Sequence, residues 1–254
     1  MILAIDIGNT NITLGGYQSG ELQFVSRLTT DSCMPADQYA VQIKGIVELY
    51  GKNKTDIEDA IICSVVPTVG DAVSRAIEKL TGNKPLALNP GIKTGLNIKI
   101  DNPAQLGADL AAGAVGALDK YPLPAIIIDM GTATTISVLD KNGAFLGGAI
   151  AAGIRSTLDA LSSKTAPLPH IHPEAPNSVI GKNTIDSMKS GLIIGAAAML
   201  DGMIDRIEEE LGFSVTVVAT GGLAGTVIKN CKRDILLDDN LLLDGLYKIY
   251  QKNK

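Results

Sequence analysis

The passage "IDIGNTNIT", Ile5 to Thr13, comes back as "IDMGTATTI", Ile128 to Ile136, 123 residues later in a chain of 254. Read without a gap, Asp6 falls on Asp129, Gly8 on Gly131, Asn9 on Thr132 and Asn11 on Thr134. A single Asp-x-Gly between apolar runs is an ordinary way to turn a hairpin. A second copy, close to half the chain away and framed by similar apolar strands, favours a duplicated fold. Two structurally similar halves are expected, residues 1–120 and 121–254. Each would open with strand, Asp-x-Gly, polar turn, strand.

Periodicity fills in the rest. Strands are expected at Met1–Asp6, Asn11–Tyr17, Glu21–Arg27, Asp59–Val65, Ala125–Asp129, Thr134–Leu139 and Val215–Ala219. Helical spacing covers Asp37–Tyr50, Gly70–Leu80, Gln105–Leu118, Thr184–Leu211 and Leu241–Tyr250. Strands alternating with helices predict an α/β fold with partly parallel sheets. Aromatic residues are only 4% and tryptophan is absent, so Ile, Leu, Val and Ala must build the core.

Charge narrows the partners. A formal net charge of −5 without a basic cluster argues against nucleic acid as the main ligand. Cys33, Cys63 and Cys231 are far apart and read as buried or neutral thiols in a reducing compartment. "MILAID" is charged too early for a signal peptide, and the apolar stretch Gly191–Leu200 is short of a membrane span. A cytoplasmic protein is expected.

Paired glycine turns suggest anion binding, because rows of backbone N–H groups and small hydroxyls can cradle phosphates without a lysine. Asp6 and Asp129 would repel those phosphates unless cations lay between. Each strand-end carboxylate is therefore read as holding a cation, and the turn after it as holding phosphate. Magnesium, through water, is the expectation for Asp6. His170 and His172, in a proline-rich loop, lack a third ligand nearby and read as surface residues rather than metal ligands. "TGGLAG", Thr220–Gly225, lacks the spacing of a dinucleotide fingerprint and reads as a glycine turn before a helix. Glu208–Glu210 reads as a solvated helix end. Gly191, Gly195, Ala198 and Gly202 share one helical face, which either packs within the chain or admits a helix of a second copy.

Six motifs in order, "DIGNTN", "QLGADL", "DMGTATT", "GIRSTLDALSSKTAPLP", "GKNTIDSMKSG" and "ATGGLAG", resemble type III pantothenate kinase, and the likeness runs through the closing "LLLDGLYKIYQKN". The resemblance implies the duplicated ribonuclease H-like, actin-like ATPase fold of the acetate kinase, sugar kinase, Hsp70 and actin group. It implies phosphorylation of pantothenate by ATP and magnesium at the primary hydroxyl, the first step towards coenzyme A. Carried onto this chain, the first phosphate loop is Asp6, Ile7, Gly8, Asn9, Thr10, Asn11, Ile12 and Thr13. Gly131, Thr132 and Thr134 form the second, and Asp129 holds a monovalent cation, potassium or ammonium. Gly107, Ala108, Asp109 and Leu110 form the pantothenate segment, with Asp109 as base and Ile100 nearby. Thr184 reaches the substrate of a neighbouring subunit in a homodimer, and Gly221 with Gly222 borders the adenosine. Leu110 stands where the family usually has Arg, and Ile100 where it often has Tyr. A kinase of the same fold for another small alcohol, or a non-catalytic nucleotide-binding paralogue, are the alternatives. Asp6, Asp109 and Asp129 together speak against the second, since a binder needs no base.

Overall fold

A computed structural model describes residues 1–164, 168–169 and 171–254 of the chain. His170 lies outside the described residues. The first elements are β1 (Ile2–Ile7), β2 (Asn11–Gln18), β3 (Glu21–Thr29), α1 (Ala36–Leu49), β4 (Asp59–Ser64), α2 (Pro67–Thr81) and β5 (Leu86–Ala87). Then follow β6 (Asn97–Ile98), α3 (Ala108–Lys120), β7 (Ala125–Met130), β8 (Ala133–Leu139), β9 (Ala144–Ala152) and α4 (Ile154–Lys164). The last are α5 (Thr184–Lys189), α6 (Gly195–Leu211), β10 (Thr216–Thr220), α7 (Ala224–Val227), β11 (Leu236–Leu237) and α8 (Leu241–Lys252).

Two units result. The first comprises Met1–Leu96, Asp101–Asp119 and Asn240–Lys254, and the second Asn97–Ile100 with Lys120–Asp239. The closing helix, placed by sequence in the second half, thus packs in the first unit.

In the first unit the strand order is β3-β2-β1-β4-β5, with β1 antiparallel to β2 and parallel to β4. Alternation along β1 sends Leu3, Ile5 and Ile7 to one face, where Ile43 and Val47 of α1 and Val73 and Ile77 of α2 meet them. Ala4 and Tyr17 lie on the other face, with Ala112 and Val115 of α3 and Leu243, Leu246 and Ile249 of α8. Helix α8 is tied down further: Tyr247 stacks on Tyr17 at 4.3 Å, and the Tyr17 hydroxyl donates to Asp244. Its Gly245 lies so close to α3 that a Cβ there would meet the Ala112 carbonyl oxygen at 1.8 Å.

The second unit repeats this order as β11-β10-β7-β8-β9, with β6 added beyond β9. Even the irregularity recurs, a register shift at Gly16/Tyr17 in one outer hairpin and at Val138/Leu139 in the other. Its core joins Ile126, Ile128 and Met130 to α4, α6 and α7. Helices α5 and α6 run on through a π turn at Ser190–Ile194. The run Thr184–Leu211 is the helix expected from the sequence, and at 28 residues it is by length and composition alone able to cross a membrane, which the apolar stretch Gly191–Leu200 is too short to do. Leu192, Ile193, Ala197, Leu200 and Ile204 are nevertheless buried in the unit's core.

Several sequence expectations need correction. Glu208 is not merely solvated: it accepts from the Val215 N–H at 2.9 Å and pairs with Arg233, which also reaches Asp205 at 2.8 Å. Of the thiols read as buried or neutral, Cys33 is exposed and Cys63 buried. Cys231 is partly buried, and burial, then Asp201, pushes its thiol up to about 11. The helix read as Gln105–Leu118 begins at Ala108, after a short 3-10 turn at Pro103–Gln105.

Candidate active site

The two glycine turns are built alike, one in each unit. In the first, the Gly8 N–H donates to the Asn11 carbonyl at 3.0 Å, and in the second Gly131 donates to Ala133 at 3.0 Å. The second turn is one residue shorter. Asp6 stands opposite Thr13 across the hairpin, and Asp129 opposite Thr135. The gap-free pairing of the two passages is thereby corrected: Asn9 is the extra residue, Thr10 corresponds to Thr132, and Ile12 to Thr134. The braces agree, since Thr30 N–H donates to Thr10 O at 3.0 Å and Gly153 N–H to Thr132 O at 3.1 Å.

That register decides which side chains share a face with each carboxylate. Ile12 and Thr134 point to the core side and are almost wholly buried, at 1% and 2% exposure. Thr13 and Thr135 flank the aspartates instead. Thr135 was missed by sequence reasoning, because the missing residue in the turn displaces it by one. On the far side of each aspartate the parallel ladder sets Cys63 beside Asp6 and Thr220 beside Asp129. The rows read Thr13–Asp6–Cys63 and Thr135–Asp129–Thr220.

Further contacts hold each turn. Thr30 Oγ1 donates to the Gly8 carbonyl at 2.7 Å, and Val65 N–H to the Ile7 carbonyl at 3.0 Å. In the second unit Ser156 Oγ donates to the Thr132 carbonyl at 2.8 Å. A Cβ at Gly153 would lie 2.4 Å from both the Gly131 and Thr132 carbonyl oxygens. Gly221 adopts φ +99°, and a Cβ there would come within 2.7 Å of the Met130 backbone. Asn9, Thr10, Asn11, Gly131, Thr132 and Gly222 are exposed.

The first turn has a companion carboxylate. Asp109 lies in the first turn of α3, where its Oδ1 accepts from the Leu110 N–H at 2.9 Å. A Cβ at Gly107 would meet that same oxygen at 2.5 Å, so the segment Gly107–Leu110 folds tightly around the carboxylate. Cys63, fully buried, is the register partner of Asp6 on the neighbouring strand. Burial above all, and then the Asp6 and Asp109 charges, pushes this thiol well above its ordinary range. Asp6 and Asp109 thus both act by charge on Cys63, and all three belong to the first unit. Among the described residues no three His, Cys, Asp or Glu side chains converge as a metal-ligand set.

The other sequence-named residues lie apart from Asp6, Cys63 and Asp109 or in the second unit. Ile100 sits near β9, its Cγ2 facing Gly147. Thr184 is exposed at the start of α5, after Asn183, whose Oδ1 caps the helix by accepting from Asp186 N–H at 2.9 Å. Gly191, Gly195 and Ala198 are exposed, and a Cβ at Gly191, Gly195 or Gly202 would touch nothing within 4 Å. The small-residue face is thus not packed within its own unit.

Residues 2–206 match the family model for type III pantothenate kinase. Among solved structures, one from Campylobacter jejuni, described as of the Baf family of transcriptional activators, has a TM-score of 0.63 at 20% identity, over 99% of this chain and 98% of that one. Component A of (R)-2-hydroxyglutaryl-CoA dehydratase from Acidaminococcus fermentans gives 0.57 at 17% identity, over 100% and 99%. The activator of 2-hydroxyisocaproyl-CoA dehydratase from Clostridium difficile, solved with bound ADPNP, gives 0.54 at 13% identity, over 98% and 94%. These likenesses establish the actin-like ATPase fold.

Proposed function

Since the chain belongs to the type III pantothenate kinase family, and so phosphorylates pantothenate with ATP in coenzyme A biosynthesis, we propose which of its residues carry out each part of that reaction. Phosphoryl transfer runs through a loose transition state, so positioning and charge neutralisation supply most of the acceleration. The turn Gly8–Asn11 offers N–H groups and hydroxyls to one part of the triphosphate, and Gly131–Thr132 to another. Asp109 accepts the proton of the pantothenate primary hydroxyl as its oxygen attacks the γ-phosphorus and ADP departs. An ordinary carboxylate suffices for a proton that leaves late. The grouping of Asp109 with Asp6, beside the first turn and within one unit, is the observation that carries this reading.

Magnesium needs hard oxygen donors and keeps most of its waters, so one carboxylate, Asp6, fits a nucleotide-borne ion without a full protein cage. When bound it neutralises phosphate charge. The row Thr135–Asp129–Thr220 supplies only oxygen donors and suits a potassium or ammonium ion. Gly221 and Gly222 border the adenosine, Gly107–Leu110 and Ile100 are assigned to pantothenate, and Leu110 contributes packing where an Arg would contribute charge. The open face of Gly191, Gly195 and Ala198, with exposed Ile150, Val179, Ile180 and Ile185 in the same unit, supports a homodimer in which Thr184 serves the neighbouring site.

The test is an ADP-release assay with magnesium and potassium, run with and without pantothenate and with the product identified by mass. Turnover that needs pantothenate and yields 4'-phosphopantothenate is expected, and it should fall about a hundredfold in Asp109→Asn. ADP release indifferent to pantothenate, or an Asp109→Asn as active as wild type, overturns the assignment.

A further inference from the structure

Cys63 invites a role because it is fully buried beside a site carboxylate yet is not used in the mechanism above. Nucleophilic chemistry does not suit it, since no solvent reaches the sulfur. Magnesium ligation does not suit it either, because a thiol is soft and that ion takes oxygen. Packing alone would be met equally by valine or alanine, among Ala4, Ile61 and Val115. The parallel ladder, however, sets the thiol beside Asp6 on the same face, and the register leaves the carboxylate between Thr13 on one strand and Cys63 on the other.

We propose that Cys63 is a positioning residue, whose S–H holds one oxygen of the Asp6 carboxylate so that the other is presented to the magnesium-bearing nucleotide. The idea rests on the role given to Asp6 above. A carboxylate near the end of a strand has several staggered orientations, and only one places both oxygens usefully. A donor fixed in the neighbouring strand selects among them without adding a charge. That neutrality matters, because a cationic donor such as lysine would compete for Asp6 with the metal, and a third carboxylate would add to the repulsion between Asp6 and Asp109. The corresponding position of the other unit holds Thr220, again a neutral donor of similar size beside the turn's aspartate. The duplication has kept the kind of neighbour while changing the atom.

The experiment compares wild type, Cys63→Val and Cys63→Ser, with Cys63→Ala as a further donor-free variant that only removes atoms. Binding of a non-hydrolysable ATP analogue is measured by calorimetry with and without magnesium, alongside kcat and the KM for pantothenate. A hydrogen bond to a charged group is strong enough that its loss weakens magnesium-dependent nucleotide binding and kcat by about tenfold. Cys63→Val and Cys63→Ala should show that loss with the pantothenate KM unchanged, whereas Cys63→Ser, keeping a donor, stays close to wild type. Magnesium-free nucleotide binding should be equal in all four proteins. Donor-free variants that bind magnesium nucleotide like wild type overturn the proposal, as does a serine variant as impaired as valine. Wild type that binds magnesium nucleotide but leaves pantothenate unphosphorylated would instead overturn the function, with the binding comparison still judging Cys63.

Discussion

The two glycine turns share a skeleton and differ in what surrounds it. Each follows an Asp-x-Gly, closes a hairpin with one N–H to carbonyl bond, and is tied by a backbone N–H arriving from the third strand. The first is a residue longer, braced by the Thr30 hydroxyl, and accompanied by Cys63 and Asp109. The second is shorter and hemmed in by backbone, with Gly153 and Gly221 leaving no space for a Cβ. The contrast teaches that a duplicated scaffold can keep one turn geometry while each copy acquires neighbours of its own. A carboxylate added in one unit is enough to make the pair asymmetric.

The sharpest way to break the comparison is through those glycines. Gly153→Ala drives a methyl group into two carbonyl oxygens and should cost about 3 kcal/mol, seen as a lower Tm. Gly8→Ala meets only the Asn11 carbonyl oxygen at 3.3 Å, and its expected loss is under about 1 kcal/mol. Equal losses would mean that the turns are equally crowded in solution. Next in size is Asp109→Asn, for which turnover should drop about a hundredfold while ATP affinity holds. A parallel collapse of ATP affinity would make Asp109 a structural part of the first turn. The smallest effect tests the second turn alone. Exchanging potassium for sodium should raise the KM for ATP several-fold in wild type and do nothing to Asp129→Asn. Sensitivity that persists in that variant would place the ion elsewhere.

How far these features were legible in the sequence depends on the residue types involved. The aspartate-glycine pairs stood out, because both types are rare inside apolar strands and their spacing repeats. The single-residue difference between the turns did not, since Asn and Thr are interchangeable in a polar turn and only the ladder reveals which faces Asp129. Thr135 and Thr220 were overlooked for that reason. Strand β9 was also missed: "AFLGGAIAA" has little β-branched character and two central glycines, one of which lets the Ile136 carbonyl approach within what would be 1.8 Å of a Cβ. The start of α2 lay three residues before the expected Gly70, at Pro67, a residue that suits the first position of a helix better than its interior.

The return of α8 to the first unit orders events during synthesis. Residues 97–100 and 120–239 are all synthesised before the closing helix and emerge ahead of it, so the second unit can complete its core first. The first unit, though it begins at Met1, waits with the Ala4, Tyr17 and Ile61 face of its sheet uncovered until Leu243, Leu246 and Ile249 emerge. Stop codons or nicks late in the gene therefore harm the earliest part of the protein, and with it the turn that carries Asp6.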